Sequence, residues 1–412
     1  MKIIDEKCIE FNIGDPLLVD QETGEPDVWS PYPITEEAII TGRYKMPKIY
    51  RMPGGELYLT YSMSIEHYYD LGRVSPVFVS KDEGRTWEKT NWPHPGFMGY
   101  HPLVSPIFEG EYYCMPTWNG IRLDVLEMPK PMERTQGGMD FKAYRLADCP
   151  REVYHWYRNL KALRWSEKTG WVEEDVNWDH EGQYIYSVND KRQNIPGDWG
   201  QKTYIAQPVL LGKNELYAAD YWTTYENPPG QIPRYWECSF MVSTDNARSW
   251  KRRSTIASSL SADSSDPGIV INQAGDIVCV MRSEPFPSKM YLTHSKDRGY
   301  TWSEPENLFS YGVFPHLLQL GNGIIVLSYG RAPGTWISFS PDGGYSWIEP
   351  KAILDETGKP SSDGYVSLLA MGYDSFLLAY GDIHFADATG VERKSLLLRK
   401  VTVNYSKNGN VV

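Results

Sequence analysis

No apolar run in the chain approaches the roughly 18 consecutive residues that a membrane-spanning helix needs. The first residues, Met1-Lys2-Ile3-Ile4-Asp5-Glu6-Lys7, hold no apolar stretch of the length of a secretory leader, so the expected location is the cytoplasm. Cysteine is scarce: five residues in 412, scattered, odd in number and without CxxC spacing. That pattern argues against a disulfide framework and against a zinc site; neither a metal nor a cofactor is expected. A basic stripe is also missing. The 41 Lys and Arg against 53 Asp and Glu leave a net charge of −12, which argues against nucleic acid or an anionic membrane as a partner. No residue pattern specifies an oligomeric state.

What the chain has in quantity is aromatic side chains, 14% of residues with 15 Trp and 29 Tyr, and they come with a repeat. Ser80-Lys81-Asp82-Glu83-Gly84-Arg85-Thr86-Trp87 returns as Ser243-Thr244-Asp245-Asn246-Ala247-Arg248-Ser249-Trp250. It returns again as Ser295-Lys296-Asp297-Arg298-Gly299-Tyr300-Thr301-Trp302 and as Ser340-Pro341-Asp342-Gly343-Gly344-Tyr345-Ser346-Trp347. Each position in this frame has a physical task. The Asp carboxylate accepts hydrogen bonds from the N–H groups of its own turn. The fifth residue, usually Gly, allows positive φ. The Trp anchors the turn to the body of its unit. The last two intervals between starts are 52 and 45 residues. Short strands recurring at about 40–50 residues are the sign of a β-propeller.

These motifs are Asp-boxes, and through them the chain resembles the sialidase (neuraminidase) superfamily of six-bladed propellers. The resemblance implies an all-β fold: a single domain, 1–412, of six four-stranded antiparallel blades, with Asp82, Asp245, Asp297 and Asp342 as architecture. The early run Cys8 to Ile13 is expected to be the outer strand of the last blade, because a propeller commonly closes its ring by joining its termini in one blade. The stretch from about 118 to 152 is too long for a connector and is expected to be an insertion or lid. Leu160 to Trp171 reads as a strand with a degenerate box.

A propeller places the first strand of each blade around its axis. The starts of those strands carry Lys45 with Met46-Pro47, His101-Pro102, Gln207-Pro208, Asp266-Pro267, Pro315-His316 and Tyr365. A ring of polar groups from distant segments is what a polar ligand pocket needs. The resemblance then reaches single residues. Tyr44-Lys45-Met46-Pro47 stands where the family has a motif whose Arg begins the clamp on the substrate carboxylate; here the residue is Lys45. Asp70, in Tyr69-Asp70-Leu71-Gly72, resembles the general acid/base, with Glu66 and His67 beside it as further contacts. Asp266, where the family has Glu, is implied as the partner of the nucleophile. Arg282 and Arg331 are implied as carboxylate ligands, and Tyr365 as the nucleophile. Gln207, His101 and His316 are expected to contact substrate.

The chemistry suits those residue types. A Tyr near its ordinary pKa of about 10 is a poor nucleophile until a carboxylate takes its proton and nearby cations favour the phenolate. The expected activity is an exo-acting, retaining glycoside hydrolase of the sialidase type, with a terminal acidic sugar on a carbohydrate substrate. Lys45 keeps other readings open on the same scaffold: a rhamnosidase-like glycosidase, a uronate lyase that uses His101, His316 or Tyr365 as base, or a non-catalytic carbohydrate-binding propeller.

Overall fold

The computed structural model describes residues 2–4, 9–21, 45–62, 76–97, 103–115, 121–136, 139–179, 183–190, 198–201, 204–205, 207–221, 236–260, 263–284, 289–309, 312–330, 334–353 and 365–405. The chain opens with β1 (Lys2–Ile4), β2 (Ile9–Ile13) and β3 (Leu17–Gln21). A four-stranded sheet follows, β4 (Lys45–Arg51), β5 (Leu57–Ser62), β6 (Val77–Ser80) and β7 (Glu88–Thr90). Then come β8 (Leu103–Pro106) and β9 (Tyr112–Met115), the strands β10 (Ile121–Arg122), β11 (Met132–Gln136) and β12 (Met139–Arg145), and helix α1 (Arg151–Arg158). Next are β13 (Asn159–Ser166), β14 (Gly170–Asp179), β15 (Tyr184–Asp190) and β16 (Trp199–Gln201). After them run β17 (Tyr204–Ile205), β18 (Leu210–Leu211), β19 (Leu216–Tyr221), β20 (Ser239–Ser243) and β21 (Ser249–Thr255). Two more four-stranded sheets follow: β22 (Asp263–Ile271), β23 (Ile277–Glu284), β24 (Met290–Ser295) and β25 (Glu306–Phe309), then β26 (Val313–Gln319), β27 (Ile325–Gly330), β28 (Thr335–Ser340) and β29 (Lys351–Ile353). The last strands are β30 (Val366–Ala370), β31 (Ser375–Ala386) and β32 (Glu392–Tyr405).

The expected closure is present. β2 pairs antiparallel with β32, Ile9 opposite Tyr405 and Ile13 opposite Val401, in the sheet that β30 and β31 also form. The reason is amphipathic: Ile9, Phe11 and Ile13 alternate inward along the strand and are buried in one apolar cluster with Phe339, Phe376 and Val403.

The long interval after the first box holds more structure than the sequence reading assigned to it. The stretch 118–152, expected as an insertion or lid, holds three strands of one sheet. Its strands β10, β11 and β12 join β15 and β16, from beyond residue 183, in a separate five-stranded sheet of order β10-β16-β15-β12-β11. Its own apolar cluster includes Leu123, Tyr144, Leu146, Val153, Tyr157 and Ile185. The degenerate box is a tight turn in which the Thr169 N–H donates to Ser166 Oγ, with no Asp in the frame. The strand after it, β14, lies parallel to β21, Trp178 opposite Trp250, and so fuses two strand sets into one nine-stranded sheet.

The boxes have the construction their residue types imply. In the first, the Gly84 N–H donates to Ser80 Oγ at 2.8 Å, and the Ser80 hydroxyl donates to Asp82 Oδ1 at 2.8 Å. The Thr86 hydroxyl and N–H donate to the two Asp82 oxygens at 2.7 and 2.9 Å. Those bonds, the Thr86 hydroxyl foremost, hold the Asp82 carboxyl down to about 2. The same net recurs around Asp245, Asp297 and Asp342. The tryptophans divide. Trp87 and Trp347 donate back to Gly84 O and Gly344 O of their own turns. Trp302 donates to Ser254 Oγ in the preceding sheet, and Trp250 is buried against Trp178 with ring centroids 5.5 Å apart. Two boxes are therefore also ties between strand sets.

Ser340→Ala removes the buried acceptor of the Gly344 N–H. The expected result is a loss of about 1–3 kcal/mol in stability, read as a lower urea midpoint with unchanged slope.

Candidate functional site

Three first strands break their ladders in the same way. In β4 the register shifts between Lys45 and Lys48, in β22 between Ser265 and Gly268, and in β26 between Val313 and His316. Each break is a residue followed by Pro: Met46-Pro47, Asp266-Pro267 and Phe314-Pro315. Proline has no N–H for the ladder, which makes a bulge the natural outcome. Met46, Asp266 and Phe314 sit at φ of 54°, 50° and 51°. A side-chain-bearing residue at positive φ before a proline is doubly disfavoured, and such strain persists only where surrounding packing fixes it.

The bulges and the boxes lie at opposite ends of their sheets. Ser295 of the third box pairs with Ile277, beside the hairpin turn, whereas Arg282 pairs with Ser265 at the far end of the same strand. The fourth box repeats this, with Ser340 opposite Ile325 and Val313 opposite Gly330.

Side chains tie several of the first strands to one another. The Val209 N–H donates to Ser105 Oγ at 2.8 Å. Gln207 Nε2 donates to Pro315 O at 2.9 Å, and Gln207 Oε1 accepts the Ile269 N–H at 3.3 Å. Gly268 makes room for this: a Cβ there would lie 2.5 Å from Pro315 O and 2.9 Å from Gln207 Nε2. The Leu368 N–H donates to His316 Nδ1 at 3.3 Å, and the Ile49 N–H to Ser367 Oγ at 3.2 Å. Strand β4 packs beside β8, the strand that carries Ser105. Gln207 and His316, expected as substrate contacts, are thus engaged as bridges between strands.

Charge is buried within this arrangement. Asp266 Oδ2 lies 2.8 Å from Arg282 Nε, which also donates to Ser265 Oγ at 3.0 Å. Asp266 is 4% exposed. Lys48, two residues past the Met46 bulge, is 2% exposed, with Nζ 4.5 Å from the centroid of the Phe314 ring. Burial lowers the Lys48 ammonium to about 7, against the opposing pull of Asp266. His316 is pushed down to about 3 by burial and then by the Lys48 charge, so it is a neutral imidazole at physiological pH, with Nδ1 as acceptor. Tyr365 is buried and meets Phe314 edge-on, ring centroids 5.3 Å apart. Met46, Phe314 and Tyr365 belong to one apolar cluster, which Ala143 on β12 of the five-stranded sheet also joins.

Asp266 and Arg282 thus pair at the β22 bulge, while Gln207 bonds to Pro315 and Tyr365 packs on Phe314 at the β26 bulge, beside which His316 resumes the ladder. Lys45 stands in β4 opposite Ser62. Asp70, Glu66, His67, His101 and Arg331 lie outside the described residues. Lys48 was missed. The available signal was its place in Pro47-Lys48-Ile49, directly after the first strand's Xaa-Pro step, where an interior strand rarely carries Lys. Among the described residues no cluster of His, Cys, Asp and Glu could hold a metal ion, and no helix is long and apolar enough to cross a membrane.

The BNR repeat-like domain family matches residues 191–361. Among solved structures, a protein of unknown function from Dyadobacter fermentans superposes with a TM-score of 0.62 at 16% identity, over 95% of this chain and 99% of that one. A Hadza microbial sialidase superposes with a TM-score of 0.50 at 13% identity, over 86% of this chain and 65% of that one, so less than two thirds of that sialidase is spanned. No curated protein sequence matches the chain. Residues 191–361 thus resemble a BNR repeat-like domain, and the chain has an all-β fold similar to those of the two solved structures.

Burial of His316 has a measurable sign. Its folded pKa of about 3 lies below the ordinary 6.5. As pH falls from 6.5 toward 3 the unfolded chain gains a proton that the folded protein refuses, and stability is lost at up to about 1.4 kcal/mol per pH unit. His316→Gln is expected to flatten the melting temperature across that window relative to wild type, with little difference in slope above pH 7.

Proposed function

We propose that the protein is an exo-acting, retaining glycoside hydrolase of the sialidase type, built as a six-bladed propeller of four-stranded blades, that removes a terminal acidic sugar from a glycan. The observation that carries this reading is the buried Asp266–Arg282 pair at 2.8 Å at the β22 bulge, with Tyr365 packed on Phe314 of the β26 bulge. The fold related to sialidases supports it as analogy.

In this reading Arg282, with Arg331 and Lys45, binds the sugar carboxylate. Tyr365 attacks the anomeric carbon, and Asp266 serves as its carboxylate partner. Sialidases are the tyrosine-nucleophile exception among retaining glycosidases. Asp70 protonates the leaving oxygen and then activates water. Asp266 is buried, and removal from water strengthens its pairing with Arg282. His316 weighs against the lyase alternative in the form that uses it as base, because Nδ1 already accepts a backbone N–H and burial opposes protonation.

A panel of aryl glycosides (sialoside, Kdn-glycoside, rhamnoside), run beside an absorbance assay for unsaturated uronates, tests the class. Turnover of a sialoside is the expected outcome. Activity on the rhamnoside or uronate alone would move the assignment to the alternative enzymes, and binding without turnover to a carbohydrate-binding propeller. Tyr365→Phe is expected to lower kcat by several orders of magnitude with binding kept. Asp70→Ala is expected to impair substrates with poor leaving groups far more than activated aryl glycosides. Lys45→Arg is expected to preserve or tighten binding of an acidic sugar, and loss of activity in that variant would point to a neutral one.

A further inference from the structure

The four boxes differ at their sixth residue. In the third and fourth it is a tyrosine laid on the preceding sheet. The Arg253 guanidinium of β21 lies 4.4 Å from the Tyr300 ring centroid. Tyr345 stacks on His294 of β24 with centroids 4.4 Å apart, and its hydroxyl donates to Asp276 Oδ2 at 2.8 Å. In the second box Arg248 turns back and donates to Asp245 O of its own turn. In the first box the residue is Arg85, whose side chain has no hydrogen bond or ion pair among the described residues.

Beside Arg85, between the first box and the sheet that closes the chain, lies a cleft of about 430 Å³. Its apolar wall is Leu17 of β3, Leu377 of β31, Leu398 of β32 and Met371, all packed in one apolar cluster. The wall is preformed. Gly84 closes on it so tightly that a Cβ there would lie 2.8 Å from Leu377 Cδ1. Arg51 clamps Glu83 with bonds of 2.9 and 2.8 Å, and its Nη2 lies 3.9 Å from Met371 Sδ. The charged lining residues are Asp15, Glu83, Arg85 and Lys400. Glu83 is engaged by Arg51. Arg85, Lys400 and Asp15 are exposed and make no side-chain ion pair among the described residues. The charge left uncommitted is therefore two cations against one carboxylate. Ser80 of this box pairs with Leu57, at the end of β5 away from Ser62 and Lys45, so the cleft stands apart from the bulged ends.

We propose that this cleft is a second ligand site and that it takes a small amphiphilic monoanion. An apolar ring or chain lies on the leucine wall, and its carboxylate or sulfonate is held by Arg85 and Lys400. The volume is in the range of sites for small organic ligands, about 300–1,000 Å³. Burial of the apolar part supplies the attraction, and the two cations orient the head. Asp15 offsets one of those cations, which favours a single negative charge over two. The occupant touches the first box, β3 and β32 at once, so it braces the closure of the chain. A ligand that binds only the folded chain raises its melting temperature.

The test is calorimetric titration of the whole chain with three probes that share an aromatic ring and differ in charge: 2-naphthylacetate, 2-naphthylacetamide and 2-(2-naphthyl)ethylamine. The acetate is expected to bind tightest and to raise the melting temperature, with the amide about tenfold weaker and the amine weaker still. Arg85→Glu and Lys400→Glu alter exposed residues, so the melting temperature without probe is expected to stay as in wild type. Each is expected to weaken the acetate about tenfold, whereas Asp15→Asn tightens it. Leu17→Trp narrows the cleft and is expected to weaken all three probes. Absence of acetate binding, tighter binding of the amine, or wild-type acetate affinity in both charge reversals overturns the proposal. The last outcome would put the bound anion elsewhere on the molecule.

Discussion

The structure depends on what proline does to a strand at the axis. At Met46-Pro47, Asp266-Pro267 and Phe314-Pro315 the ladder loses a donor, and the preceding residue sits at positive φ, against the preference of a pre-proline residue. The three breaks fall at equivalent places in three separate sheets, so they are one device used three times. The backbone that would have continued each ladder turns aside, and the residues that follow, Lys48, Gly268 and His316, resume the pairing. The strain is held by packing between first strands, which is tightest at Gly268, where no side chain fits between the strand and Pro315.

That packing explains why polar side chains here are mostly mortar. Gln207, His316, Ser105 and Ser367 each satisfy a backbone group on a distant segment of the chain. An orphaned backbone N–H at the axis would be costly, and a short polar side chain from next door is an economical partner. What remains for chemistry is the pair that the bulge of β22 creates. Asp266 occupies the bulge itself, and Arg282 faces Ser265 across the ladder, so pairing register brings guanidinium and carboxylate together.

The sequence announced the boxes, the propeller class and the closing strand, because each was written in local residue types or in a repeat. Other features were hidden. The five-stranded sheet joins β12 to β15, whose residues lie about 45 positions apart with α1 and the β13–β14 hairpin between them, so no local pattern marks the pairing. Lys48 looked like an ordinary strand residue because its burial is set by Phe314, more than two hundred positions away. Gln207 and His316 were read as polar groups awaiting a ligand, since a sequence does not reveal which backbone groups the neighbouring sheet leaves unpaired.

The pairing of β2 with β32 also sets a timetable. Ile9 finds Tyr405 across nearly the whole chain, a contact of the longest sequence separation available to this protein, and such contacts form late because loop closure must come first. During synthesis Ile9, Phe11 and Ile13 wait, with their apolar side uncovered, until the last strand has emerged. A strand edge of that kind is open to association with other chains. The same seam that completes the fold is therefore the interval in its life when the nascent chain depends most on protection by chaperones.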